Sequence, residues 1–404
     1  PDHRHALAAA IAGLIEGDVL AEMNDWVRDA LIDALDPHEV ADIAAELDTD
    51  DAVAIIEDME EEDQRAVLRA LDPDDRAAIE EALSYPEESA GRLMQRELIA
   101  VPEHWSVGDV LDYLRGEEEL ATDFWEIFVV DPGHKPVGTC ALSWILRTPR
   151  AVAMGDVMKR EQTLIPVGMD QEEVALIFQK YALISAAVVD DSGRLVGMVT
   201  VDDIVHIISE EAGEDALLLS GAGEGDINEP VVDSYKVRVR WLIANLGTAM
   251  VAATIIGLFE GTIAKMVTLA ALMPIVAGVG GNAGTQTMAV TVRALATNQL
   301  TEANTWRAIR REIQVALLNG MTIAAVLGIG VGLVFQNALL GGVIATAMLA
   351  NIVIAGCAGA FVPLTLARLR ADPAVASSVF VTMTTDSMGF FVFLGLASAS
   401  GLAG

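Results

Sequence analysis

The 404-residue sequence predicts a multidomain protein: an all-α, superhelical N-terminal domain, a tandem α/β pair, a connecting helix and a five-helix α transmembrane domain. Three observations carry this. Charge and apolarity are segregated along the chain, a repeat of about 60 residues stands in its middle, and five long apolar runs close it. A net charge of −34 beside 53% hydrophobic residues and a mean hydropathy of +0.43 is a contradiction only for the undivided chain. Residues 236–404 hold five acids against ten Lys and Arg, whereas residues 1–235 hold 54 acids and 15 bases.

The first 90 or so residues read as short helices. Leu31, Leu35, Val40, Ile43, Leu47, Val53, Ile56, Val67 and Leu71 recur at spacings near three and four. Asp36-Pro37 and Asp72-Pro73 each place a capping acid before a proline suited to a first helical turn. Ala34-Leu35-Asp36-Pro37 returns as Ala70-Leu71-Asp72-Pro73, so residues 1–92 are expected to form a helical repeat domain.

The middle repeat is firmer. Leu93-Met94-Gln95-Arg96-Glu97 matches Val157-Met158-Lys159-Arg160-Glu161, and Val101-Pro102 matches Ile165-Pro166, both at an offset of 64. Val129-Val130-Asp131 matches Val188-Val189-Asp190, and Val137-Gly138 matches Val196-Gly197, at an offset of 59. Each copy, 93–152 and 153–211, reads strand, helix, strand, turn, strand, helix, with Asp191-Ser192-Gly193 as a turn. In the second copy Gly193-Arg194-Leu195-Val196-Gly197-Met198-Val199-Thr200-Val201-Asp202-Asp203-Ile204 resembles a cystathionine-β-synthase (CBS) domain; the first copy is degenerate around Thr139-Cys140-Ala141-Leu142-Ser143. Such pairs are ligand-sensing modules, or serve only for packing and dimerisation. Residues 212–235 follow as an acidic, Gly-containing connector or plug helix.

Apolar runs at roughly 239–259, 266–292, 313–336, 340–367 and 374–402 are each long enough for the ~20 residues that cross a bilayer. Lys236, Arg238 and Arg240 precede the first run. Arg293, Arg307, Arg310 and Arg311 lie between the second and third, and Arg368 and Arg370 between the fourth and fifth. The other two connections hold only Lys265. Positive-inside orientation then puts the N-terminal half in the cytosol of a cell (inner or plasma) membrane protein and the C-terminus outside. No cleavable signal peptide is read at Pro1-Asp2-His3-Arg4-His5, and a start without Met reads as trimmed.

Asp386 stands alone as a charge between Pro373 and the C-terminus, near the middle of its run, within a collar of Thr382, Thr384, Thr385 and Ser387. In the second run Pro274 and the glycines of Gly278-Val279-Gly280-Gly281-Asn282-Ala283-Gly284-Thr285-Gln286 loosen a helix and allow close packing. Asn282 and Gln286 are four apart and share a face. Amide and carboxylate oxygens are the hard ligands Mg²⁺ and Ca²⁺ prefer, so this second run lines a path or simply packs tightly.

Met273 to Gln286 closely resembles the MgtE magnesium transporters and channels, as do Lys236-Val237-Arg238-Val239-Arg240-Trp241-Leu242 and Asp372-Pro373-Ala374. The resemblance implies a homodimer in lipid with a Mg²⁺ pore between subunits, Asp386 as the pore acid, and feedback by cytosolic Mg²⁺ on acids matching the family's sensor. Those acids are Asp170, Glu172, Asp203, Glu211, Glu214 and Asp215; Ala182 and His206 stand where acids are expected. ATP in the CBS pair, giving a nucleotide-regulated transporter, and a proton-coupled exchanger of Co²⁺, Mn²⁺ or Ca²⁺ are the alternatives. The acidity argues against nucleic acid and anionic lipid headgroups, and five Lys against 20 Arg fits adaptation to high salt. Two cysteines, Cys140 and Cys357, imply no disulfide framework. Six scattered histidines without a nucleophile–base pair argue against an enzyme.

Overall fold

The structure is a computed structural model and describes residues 17–21, 23–57, 59–116, 124–220, 231–301 and 303–402. The expected residues 1–16 of the helical domain and 221–230 of the connector lie outside the described residues. The chain divides into two compact units, Pro1–Glu211 and Ala212–Gly404.

The first unit begins with short helices: α1 (Gly17–Ala21), α2 (Asp25–Ile32), α3 (Pro37–Ala44), α4 (Thr49–Ile56), α5 (Glu61–Ala70) and α6 (Pro73–Leu83). They bury the periodic residues in one core that includes Leu31, Val40, Val53, Ile56, Val67 and Leu71. Asp36 caps α3 in a full capping box: its carboxylate accepts from the His38 and Glu39 amides, and Glu39 accepts from the Asp36 amide. Asp72 precedes Pro73 in the same extended geometry but makes no side-chain cap bond, so the sequence echo is a backbone echo only.

After α7 (Ala90–Leu93) come two copies of one α/β unit. The first is β1 (Ala100–Pro102), α8 (Val107–Gly116), β2 (Glu126–Val130), β3 (Pro136–Ala141) and α9 (Leu142–Ile145). After α10 (Met154–Val157), the second is β4 (Leu164–Pro166), α11 (Gln171–Tyr181), β5 (Ser185–Val189), β6 (Leu195–Thr200) and α12 (Val201–Ser220). In each the outer strand pairs parallel and the hairpin antiparallel, with the irregularity at the same place, Val129/Val130 and Val188/Val189. A helix crossover makes the parallel pair possible and a tight turn the antiparallel one.

The repeated Val-Gly and Met-Gln/Lys motifs explain one another. Gln95, ahead of the first copy, pairs with Met198 on β6, and Lys159, ahead of the second, pairs with Thr139 on β3. A Cβ on Gly197 would stand 2.8 Å from the Gln95 carbonyl oxygen, and one on Gly138 would stand 2.8 Å from that of Lys159. Only glycine lets each linker backbone close on the other copy's sheet. Gly197→Ala is therefore expected to cost about 1–3 kcal/mol, seen as a lower temperature for protease cleavage within the CBS pair of the full chain. Undiminished resistance would refute the contact.

The second unit is helical: α13 (Val231–Leu258), the short α14 (Glu260–Lys265), α15 (Thr268–Ala296), α16 (Thr305–Val334), α17 (Ala338–Arg368) and α18 (Pro373–Ala399). Among the described residues four helices are long and apolar enough to cross a membrane: α13, α16, α17 and the Ser377–Ala399 part of α18. The remaining expected span, 266–292, forms the 29-residue helix α15, which is not among those four and carries the polar Gly-Gly-Asn-Ala-Gly-Thr-Gln segment. The central helix is α17, packed against α15, α16 and α18. The last turn of α12 belongs to this unit: Leu218 and Leu219 pack against Met288, Val292, Ala374 and Val381.

Candidate functional site

In the first unit the acids expected from the sequence to act as a sensor fall into two groups. Asp203, in the first turn of α12, accepts from the Thr200 hydroxyl at 2.6 Å. Burial pushes its carboxyl up to about 6, against the pull of that hydrogen bond, and the charges of Asp202 and Asp51 add to the rise. Facing it is Asp50, on the first turn of α4, with Oδ1 enclosed and without a partner. Burial, then the charges of Asp203, Asp51 and Asp48, raises Asp50 well above the usual carboxylate range. The helical domain thus presents acids directly to the second CBS copy. Close by in sequence, the Thr49 amide and hydroxyl donate at 3.2 and 2.8 Å to Glu97, in the segment ahead of β1.

The second group surrounds the start of α11. Asp170 caps that helix by accepting from the Glu172 amide at 2.9 Å. Gln171 donates its side-chain amide to Glu211 at 2.7 Å and its backbone amide to the Glu88 carbonyl at 2.8 Å. Glu88 is raised by burial first, then by the charges of Glu211, Asp170 and Glu87. Among the described residues no three His, Cys, Asp or Glu side chains form a ready cage for a metal. The arrangement is of like charges held close, which a proton or a divalent cation relieves.

Sequence reading named Asp170, Glu172, Asp203 and Glu211 and missed Asp50, Asp51 and Glu88. Asp48-Thr49-Asp50-Asp51 at a helix start was a visible signal, hidden by the abundance of acids. Glu214 and Asp215 lie further along α12, in the second unit; the Asp215 side chain lies outside the described residues. Ala182, where an acid was expected, ends α11 in the left-handed conformation at φ 51°.

In the second unit α15 turns Leu272, Val276, Gly280, Gly284 and Met288 inward. Asn282 and Gln286 lie on the opposite, exposed face, as their four-residue spacing requires. On α18, Thr382 is exposed, Asp386 is half-buried, and Thr385 and Ser387 are buried. Among the described residues Asp386 has no ion-pair or hydrogen-bond partner, so no neighbouring base neutralises it. The two helices approach closely: a Cβ on Gly284 would stand 2.7 Å from Val381 Cγ1.

Sequence comparison bears on both units. A family model described as a divalent cation transporter, MgtE, matches residues 273–396; the MgtE intracellular N domain matches 1–88, and a CBS domain 154–210. The chain is 32% identical over 321 residues to the magnesium transporter MgtE of Bacillus subtilis (strain 168), covering 78% of this chain and 70% of that one. The chain belongs to the MgtE family. The magnesium transporter MgtE of Thermus thermophilus is 33% identical over 318 residues, with the same coverage. A solved structure of the cytosolic domain of the Mg²⁺ channel MgtE in complex with ATP is also similar, at 30% identity, a TM-score of 0.46, and coverage of 51% of this chain and 84% of that one. Membership of the MgtE family makes this a membrane transporter and not an enzyme, as its sequence led one to expect.

Proposed function

We propose that the chain conducts Mg²⁺ through a homodimer in the cell membrane, past Asp386, and that cytosolic Mg²⁺ closes the path by binding the acids of the first unit. The observation that carries this is the outward face of α15 and α18. Asn282, Gln286 and Thr382 are exposed from the chain's own packing, and polar amides left against hydrocarbon cost several kcal/mol each. A second copy enclosing an aqueous path between the two faces removes that cost. In this reading α15 is the fifth span, the N-terminal half is cytosolic and the C-terminus outside. Mg²⁺ dehydrates reluctantly, so a pair of Asp386 carboxylates with amide and hydroxyl oxygens would select it still carrying water.

Feedback uses the other groups. Asp203 and Glu211 stand on α12, whose last turn carries Leu218 and Leu219 against α15 and α18. Cations that hold Asp50 to Asp203, and Glu88 to Asp170 and Glu211, would fix the start of that helix and through it the pore helices. Glu172 would add charge beside Asp170, and Glu214 and Asp215 would add charge further along α12. Uptake by liposomes holding the purified chain tests conduction: Mg²⁺ entry is expected to persist with no proton gradient and to fall when Mg²⁺ bathes the cytosolic face. Entry that required a proton gradient would establish the exchanger instead.

A further inference from the structure

The permeation reading leaves a buried polar side chain of the second unit without a role. Asn351 is at the middle of α17, in an apolar run without a charge, and is completely buried. Its amide nitrogen donates to the Val276 carbonyl of α15 at 3.0 Å, while its Oδ1 is enclosed without a partner. The amide head fills a slot left by two glycines on two different helices. A Cβ on Gly280 of α15 would collide with Asn351 Nδ2, and one on Gly389 of α18 would stand 2.7 Å from the same atom and 3.0 Å from Oδ1.

A buried amide between helices is usually just adhesive, adding to packing wherever it falls. Position argues for more here. Gly280 is two residues before Asn282, and Gly389 is three residues, about one turn, after Asp386. Asn351 therefore touches both helices that carry the candidate oxygen ligands, within a turn of those ligands. Pro274 has no N–H to donate to the Ala270 carbonyl one turn earlier, so the Asn351 donor reaches α15 within two turns of a stretch that its own hydrogen bonds hold less firmly. A side chain at either glycine would force the amide to move, and a smaller residue at 351 would leave both helices free to close in or turn.

We infer that Asn351 is a positioning residue for the cation path: its amide sets the separation and rotation of α15 and α18 at the level of Asp386, and thereby which hydrated cation passes. This rests on the reading of Asp386 as the pore acid. The test uses the full chain in liposomes, with Mg²⁺ and Ca²⁺ entry measured separately and normalised to folded protein, for Asn351→Ala, Gly389→Ala and the double variant. Each single variant is expected to change the Mg²⁺-to-Ca²⁺ entry ratio by about tenfold, because tolerances of about 0.5 Å govern such sites. The double variant, in which the new methyl at 389 occupies part of the space vacated at 351, is expected to recover most of that ratio. An amide that only holds helices together would reduce the yield of folded protein and leave the ratio alone, which overturns the inference. If a single variant does not fold, a double variant that folds with the ratio still displaced overturns it equally. Loss of entry in Asp386→Asn together with an unchanged ratio in Asn351→Ala defeats this inference alone, whereas normal entry in Asp386→Asn defeats the pore reading and this inference with it.

Discussion

Asp386→Asn is expected to lower Mg²⁺ entry into liposomes by at least about a hundredfold at unchanged protein yield. The substitution keeps shape and removes one charge, so it isolates electrostatics. Coulomb's law with an effective dielectric of about 20 gives several kcal/mol between a carboxylate and a divalent cation about 5 Å away. A third of that is already more than a tenfold change, and in a dimer the loss occurs twice. No partner compensates: the basic residues of the second unit stand at helix ends and connections, and Asp386 is without an ion pair among the described residues. Asparagine still offers a carbonyl oxygen, so residual entry with weakened preference for divalent over monovalent cations is the accompanying expectation. Radiometric or dye-based uptake at matched protein density decides it, and wild-type rates would remove Asp386 from the path.

How much of this was legible in the sequence depends on the range of the interaction concerned. Local chemistry read true: Asp36 and Pro37 open a helix, the 59- and 64-residue offsets reappear as two sheets with the same irregularity, and the apolar runs are long helices. The repeated Val-Gly motif was visible without its reason, because the reason is the backbone of the opposite copy. Long-range pairings were not legible. Asp50 was one acid among 54 in its half of the chain, and only folding sets it against Asp203. Asp386 was noticed as a charge in an apolar run; Asn351, neutral but equally out of place between Leu349 and Ile352, carried the same kind of signal at lower contrast. The second run met the length needed for a span, yet its helix, α15, has the polar segment that sets it apart from the other four. Polarity at that place is what a path for ions requires.

The acidic meeting between Asp50 and Asp203 makes a further prediction, with a defined sign. Both carboxyls are raised in the folded state, Asp203 to about 6, mainly by burial and for Asp50 next by the Asp203 charge. Between the unfolded value near 4 and that folded value the folded state holds more protons than the unfolded one, so stability falls as pH rises through this window. Above it Asp203 is charged and its penalty is at its full extent, of order 3 kcal/mol. In metal-free buffer, the junction between the helical domain and the second CBS copy is therefore expected to resist protease at pH 5.5 and to yield at pH 7.5. Millimolar Mg²⁺ at pH 7.5 should restore the resistance, since a divalent cation relieves the same repulsion as the proton does. Asp50→Asn and Asp203→Asn should each resist at both pH values without Mg²⁺, and each should flatten the response of Mg²⁺ entry to Mg²⁺ on the cytosolic face. Cleavage that follows neither pH nor Mg²⁺, in the parent chain or in either variant, would mean that these carboxylates repel without regulating. The distinction matters physically, because the same burial that penalises the charged pair would give a bound cation its leverage on α12.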